Sequence, residues 1–118
     1  MIAQMQYEDV KYAGYYNVGP DDCDCFQTGA LVDLFCNKWG EGMKWINRYD
    51  GGPHEANFLK LDCSKLKTVF GWKPVWNLDG AIGATVEWSK TLRDGKSVAE
   101  CMDKQIAEFV SASSWINQ

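Results

Sequence analysis

Apolar residues recur every three or four positions along four stretches of the chain, which is typical of amphipathic helices. These predicted helices begin near Thr28, Asp62 or Ser64, Asn77 and Ser97, and each of these residue types caps helix N-termini. Ser97 and Glu100 also form a Ser-x-x-Glu capping box for the last helix. We expect the apolar face of each helix to enter the core, and the last helix to bury Val98, Met102, Ile106 and Phe109.

Three shorter segments are rich in aromatic and β-branched residues or alternate apolar with polar positions, which predicts strands. They are "YAGYYNVG" at 12–19, "MKWIN" at 43–47 and "NFLKL" at 57–61. About three strands would then alternate with four helices, so we expect a single small α/β domain over residues 1–118. Residues 111–118 form a tail whose Trp115 is able to dock on that domain.

Composition excludes two classes of partner. The formal net charge is −4, and no basic stripe is present to neutralise a phosphate backbone, so we expect no nucleic acid partner. The sequence has no run of about 18 apolar residues, so we expect no membrane span. The first residues lack the charged and apolar regions of a signal peptide, which favours a cytoplasmic location.

The five cysteines do not form a recognisable metal-binding motif. "DDCDC", at 21–25, places two thiols among three carboxylates. No second cysteine pair and no nearby histidine complete a set of four ligands, so we expect no metal. An odd number of cysteines without an export signal indicates reduced thiols, several of them buried as small apolar residues.

Motifs that would carry catalysis are missing. Tyr7 and Lys11 match the Tyr-x-x-x-Lys pattern of short-chain dehydrogenases, but a pattern with two fixed positions arises easily by chance. The glycine-rich turn that binds a dinucleotide does not occur, nor does a Gly-x-Ser-x-Gly nucleophile elbow. We therefore expect no catalytic residue and no bound cofactor in this chain.

Several segments together resemble a known family. These are "KYAGYYNVGPDD", "PHEANFLKLDCSKLK", "FGWKPVWNLDGAIGATVEW" and "DKQIAEF", and they extend over about residues 7–110. Their order and spacing resemble the C-terminal part of CDP-glucose 4,6-dehydratases, which are extended short-chain dehydrogenases/reductases. The resemblance implies a parent enzyme whose N-terminal Rossmann domain holds NAD and the catalytic residues. This chain resembles only the smaller lobe that closes over the nucleotide-sugar.

The resemblance also implies a binding site around the single histidine. In related dehydratases the segment before "NFLKL" contacts the nucleotide diphosphate, often through an arginine before the proline. Gly52 takes the place of that arginine in this sequence. The remaining candidates are polar groups able to bind a cytidine or its phosphates, together with the preceding proline: Pro53, His54, Glu55 and Asn57. The alternative is a solvated histidine in a surface loop.

Three functions remain open from the sequence. The first is a detached or truncated nucleotide-sugar-binding lobe, inactive alone, whose parent performs NAD-dependent dehydration of CDP-glucose to CDP-4-keto-6-deoxyglucose. The second is a free-standing, non-catalytic binding or oligomerisation module, and the third is an unrelated thiol or metal protein. The expected partners are CDP or a CDP-sugar, bound weakly, and either the missing Rossmann domain or a second copy. Six tryptophans exceed the needs of a small core, which favours a homodimer or an end segment that rearranges to cover the exposed apolar surface.

Overall fold

The computed structural model describes residues 2–48 and 60–113 of the chain. Within these ranges the chain forms two 3₁₀ turns, at Val10–Tyr12 and Asp22–Asp24, and five α-helices. The helices are α1 (Ile2–Glu8), α2 (Thr28–Trp39), α3 (Ser64–Phe70), α4 (Leu78–Arg93) and α5 (Val98–Ala112). The described residues contain no β-strand, so the predicted α/β class of about three strands and four helices is wrong. No helix in this part of the chain is both long and apolar enough to cross a bilayer.

The first predicted strand is an irregular segment held by side chains. Asn17 donates from Nδ2 to the carbonyl of Asp62 at 3.2 Å, and Lys65 donates from Nζ to the carbonyl of Tyr15 at 3.2 Å. The ring of Tyr16 packs edge-on against Phe70, with 5.1 Å between ring centroids. The aromatic residues that predicted a strand therefore pack on α3, because no neighbouring strand in the described ranges offers a ladder.

The second predicted strand is wrong in a similar way, and most of the third lies outside the described residues. Residues 43–47 have no regular structure, and Trp45 is tied to α2 because its indole nitrogen donates to Asp33 Oδ1 at 2.7 Å. Of the segment 57–61, Lys60 and Leu61 are described and are not in a strand, while 57–59 lie outside the described residues.

The predicted helices are confirmed, and side-chain hydrogen bonds explain where two of the four begin. Asn77 Oδ1 accepts from the N–H of Gly80 at 2.9 Å, and Ser97 Oγ accepts from the N–H of Glu100 at 3.3 Å. These caps satisfy amide donors that have no partner inside the helix. Helices α2 and α3 are the exceptions. Thr28 and Ser64 are the first residues of these helices, and the cap positions before them, Gln27 and Cys63, make no side-chain cap bond.

Helix α4 is the centre of the helical packing, with α2 and α5 packed against it. An ion pair of 2.8 Å between Lys38 and Asp79 joins α2 to α4. Gln105 of α5 donates to the carbonyl of Ala84 at 2.9 Å, and Lys104 pairs with Glu87 at 2.7 Å. Helix α5 is therefore held to α4 by polar contacts as well as by apolar burial.

The predicted buried stripe of α5 is wrong for two of its four residues, while Val98 and Phe109 are half-buried. Met102 is 48% exposed and Ile106 is 58% exposed, whereas Cys101 is buried and Gln105 is half-buried against α4. The two inward residues each precede an exposed one by a single position, which corresponds to a rotation of about 100° around the helix. Helix α4 thus covers only one flank of the apolar arc of α5.

Leu66 anchors α3, because its side chain is 1% exposed. The change Leu66→Ala should lower the free energy of unfolding by about 2–5 kcal/mol, since it removes buried apolar contacts and leaves a cavity. The matched control is Leu92→Ala, since Leu92 is a leucine of α4 that is 55% exposed. That change should alter the unfolding free energy by less than about 0.5 kcal/mol. Urea unfolding followed by circular dichroism measures both, and equal losses would contradict the assignment of Leu66 to the core.

Candidate functional site

A cleft of about 330 Å³ opens at the start of α3. It lies where the segment around Pro20 passes the segment that leads into α3. Its walls combine charged, polar and apolar groups from both segments: Pro20, Asp22, Lys60, Leu61, Asp62, Cys63, Ser64 and Lys67. The mixture provides both donors and acceptors of hydrogen bonds in one concave surface.

A glycine allows the two walls to approach each other. A Cβ atom placed on Gly19 would lie 3.3 Å from Cys63 Sγ and 3.7 Å from Leu61 Cβ. Any larger residue at position 19 would therefore push on the buried thiol of Cys63. Asp62 shapes the other side, because its Oδ1 accepts from the N–H of Ser64 at 2.9 Å and fixes the entry to α3.

Two lysines carry the positive charge of the cleft, and each is paired with an aspartate. Lys60 Nζ lies 2.7 Å from Asp22 Oδ2, and Lys67 Nζ lies 2.5 Å from Asp21 Oδ1. The hydrogen bond to Asp22 raises the pKa of Lys60, and the bond to Asp21 raises the pKa of Lys67. Both ammonium groups therefore stay charged at neutral pH.

With Asp62, three carboxylates stand beside the two ammonium groups. Hydrogen bonds from the side chain and the backbone of Ser64 lower the pKa of Asp62, so its carboxylate also stays charged. This balance of charges suits a ligand with hydroxyl and amine groups as well as phosphate oxygens, since a bare anion would meet the carboxylates too.

A second, apolar cleft of about 280 Å³ continues from the first and shares Pro20 with it. Its walls come from the segment around Pro20, the segment before α4 and one residue of α5. They are Val18, Gly19, Pro20, Trp72, Lys73, Pro74, Val75, Trp76 and Phe109. Trp76 packs edge-to-face on Phe109, with 5.4 Å between ring centroids. The charged cleft thus borders an aromatic one.

The site residues predicted from the resemblance, Pro53, His54, Glu55 and Asn57, lie outside the described residues. Their role stays a prediction. Lys60 follows Asn57 by three positions and is the first described residue after that segment, so the chain leads directly from the predicted site into the charged cleft.

Sequence reasoning misses the residues that line this cleft. It treats Asp21 and Asp22 only as part of a possible metal cluster and assigns no role to Lys60 or Lys67. No group of three or more potential ligands that could hold a metal ion is found among residues 2–48 and 60–113. The sequence signal that could have indicated the cleft is the pair Lys60 and Lys67, which flank "LDCSKL" shortly after the predicted site.

Tyr7 and Lys11 do not lie together. Helix α1 ends at Glu8, so the two residues do not share a helical face, and the side chain of Tyr7 is 92% exposed. Lys11 instead pairs with Asp9 at 2.7 Å and stands 4.7 Å above the ring of Tyr12. Tyr7 and Lys11 therefore do not form the helical Tyr-x-x-x-Lys arrangement.

One of the comparisons with known proteins agrees with the resemblance seen in the sequence. No family model matches the chain. A CDP-glucose 4,6-dehydratase from Salmonella typhimurium is 35% identical to it over 115 residues. The match covers 97% of this chain but 32% of the relative, so the chain spans about a third of the length of that enzyme. The similarity to CDP-glucose 4,6-dehydratase is therefore confirmed, and it is consistent with the C-terminal region of that enzyme.

The change Asp62→Ala should destabilise the protein at pH 7 and much less in acid. The pKa of Asp62 lies below its ordinary value of 3.8, so the folded state favours the charged carboxylate. Its stabilising contribution is present above that value and is lost as the pH falls through the folded-state pKa. The gap in urea midpoint between the variant and the wild type should therefore shrink between about pH 5 and pH 2.

Asp62→Asn is the matched control, because asparagine keeps an oxygen acceptor for Ser64 but has no ionisable group. It should lose less stability than Asp62→Ala at pH 7. A gap for Asp62→Ala that is the same at both ends of the pH range would show that the carboxylate charge does not stabilise α3.

Proposed function

We propose that this chain is the nucleotide-sugar-binding lobe of a CDP-glucose 4,6-dehydratase-like protein. The observation that carries the proposal is the extent of the match, since 97% of the chain aligns at 35% identity with about a third of such an enzyme. An alignment over 115 residues supports a shared structure more strongly than one short motif would. The lobe would bind the CDP part of the substrate.

The charged cleft supports the proposed ligand. CDP offers phosphate oxygens to Lys60 and Lys67, and its ribose hydroxyls and cytosine amine are donors for aspartate oxygens. The predicted site at His54 is only six positions before Lys60, so both can act on one ligand. The aromatic wall next to the cleft, with Trp72 and Trp76, is suited to the face of a base.

We further propose that the chain alone performs no dehydration and holds no cofactor. NAD would belong to the parent protein, because the sequence has no glycine-rich turn at a helix N-terminus to receive its pyrophosphate. The residues of the proposed site bind and orient a ligand, and none of them transfers a hydride or a proton. The activity of the whole enzyme would then depend on a Rossmann domain beside this lobe.

A second candidate function, a free-standing binding or oligomerisation module, is favoured by the exposed apolar surface. Within the described ranges, four apolar side chains are buried while fourteen large ones are exposed, which leaves much apolar area for a partner to cover. Tyr7, Val10 and Tyr15 are among the most exposed. A homodimer would cover such groups, and sedimentation velocity over a range of concentrations distinguishes it from a lobe that needs the Rossmann domain.

Adding CDP to the isotopically labelled chain should shift the amide resonances of residues 53–57 and 60–64, with a dissociation constant on the order of 1 mM. The affinity should be weak because one lobe supplies only part of the contacts of a two-lobed pocket. Nuclear magnetic resonance titration measures both the site and the constant. His54→Ala and Lys60→Met should each weaken binding, while Lys96→Met, a lysine between α4 and α5, should not.

The same sample should neither bind NAD in a calorimetric titration nor turn over CDP-glucose. Resonance shifts at other residues, or no shifts at millimolar CDP, would contradict nucleotide binding at this site. His54 would then be a solvated loop residue. Tight NAD binding or turnover by the chain alone would refute the division of roles between the two parts of the parent protein.

A further inference from the structure

Helix α5 has an apolar arc that its neighbour covers only in part. Helix α4 takes the flank of Cys101 and Gln105. Beside that flank lies a row at four-residue spacing that is 42–58% exposed: Met102, Ile106 and Val110. Part of this row lines a cleft of about 220 Å³, which we call the Met102 cleft and whose residues are Trp76, Met102, Gln105, Ile106 and Phe109. A cleft with these side chains is suited to an apolar or aromatic group.

The end of α5 fixes the chain close to this cleft. Ser113 is 1% exposed, and its Oγ donates to the carbonyl of Phe109 at 2.7 Å. The N–H of Ser113 donates to the carbonyl of Val110 at 3.1 Å. Ser113 is therefore held about one helical turn from Phe109, which is a wall of the Met102 cleft.

The residue that follows has suitable chemistry and reach. Trp115 is two positions after Ser113, and two residues of extended chain span about 7 Å. An indole needs apolar walls and one acceptor for its N–H. Met102 supplies a sulfur that packs well on aromatic rings, and Trp76 and Phe109 extend an edge-to-face pair.

Gln105 supplies the acceptor. Its side-chain nitrogen donates to the carbonyl of Ala84 at 2.9 Å and to Glu87 Oε2 at 3.2 Å. These bonds hold the amide in place on the cleft wall, and its side-chain oxygen is an acceptor for the indole N–H.

We propose that Trp115 occupies the Met102 cleft of its own chain. A tethered tryptophan acts at an effective concentration in the millimolar range, which a second copy of the chain reaches only at high protein concentration. The homodimer proposed above would then use other exposed apolar surfaces, such as the one around Tyr7, Val10 and Tyr15.

The test is the rate at which peroxide oxidises Met102, measured by mass spectrometry on the full chain. Trp115→Ala should accelerate the oxidation by about two- to tenfold, the range that one aromatic contact provides. Met43, which is 40% exposed, is the internal standard and should not change. Trp115→Phe should keep most of the protection, and Trp45→Ala should leave the rate at Met102 unchanged, because Trp45 lies against Gly29 of α2.

Nuclear Overhauser contacts between the Trp115 indole and the methyl groups of Met102 and Ile106 are expected at every protein concentration. Contacts that vanish on dilution, or that appear between differently labelled copies, would assign the cleft to a second chain and overturn the proposal. An oxidation rate at Met102 that is unchanged in Trp115→Ala would overturn it as well.

Discussion

The close approach of Gly19 to Cys63 is the contact on which the candidate site depends. It brings the segment around Pro20 against the segment that enters α3, so that Asp21 and Asp22 reach Lys67 and Lys60. Both lysine–aspartate pairs lie near the surface, where ion pairs alone stabilise little. The packing of Gly19 on Cys63 and the hydrogen bond from Asn17 to the Asp62 carbonyl therefore hold the two walls together, and the ion pairs set the polarity of the cleft between them.

The sequence predicted the helices well because their signals are local. The caps at Asn77 and Ser97 act within three residues, and Gly71 ends α3 with a left-handed backbone, at φ 61°. The strands were predicted wrongly because a strand needs a partner that the same short segment cannot specify. In this chain the aromatic residues of 12–19 pack on α3, where Tyr12 and Tyr16 contact Phe70.

The charged cleft could not be predicted from the sequence either, because it also depends on contacts between distant positions. Its pairs join residues that are 38 and 46 positions apart, Lys60 with Asp22 and Lys67 with Asp21, and no periodicity relates such positions. The resemblance to a dehydratase supplied the neighbouring candidates around His54, which the described residues leave as a prediction. The resemblance and the structure are complementary. The resemblance indicates a class of ligand, and the structure shows charged groups that follow the predicted site along the chain. The exposed row on α5 shows a further limit of prediction from sequence. Periodicity identifies the apolar arc of a helix, but it does not identify which side of that arc a neighbouring helix covers.

The most direct test of this account is the CDP dissociation constant of Gly19→Val, measured against the wild type by nuclear magnetic resonance titration. A valine at position 19 would press on Cys63 and separate the two walls of the cleft. The account predicts binding weakened by about tenfold or more, equivalent to about 1.4 kcal/mol, while α4 and α5 keep their resonances. Gly29→Ala is the control, because a Cβ at position 29 would make only an ordinary contact of 3.8 Å with Trp45. An unchanged dissociation constant in Gly19→Val would contradict the claim that this cleft binds the nucleotide.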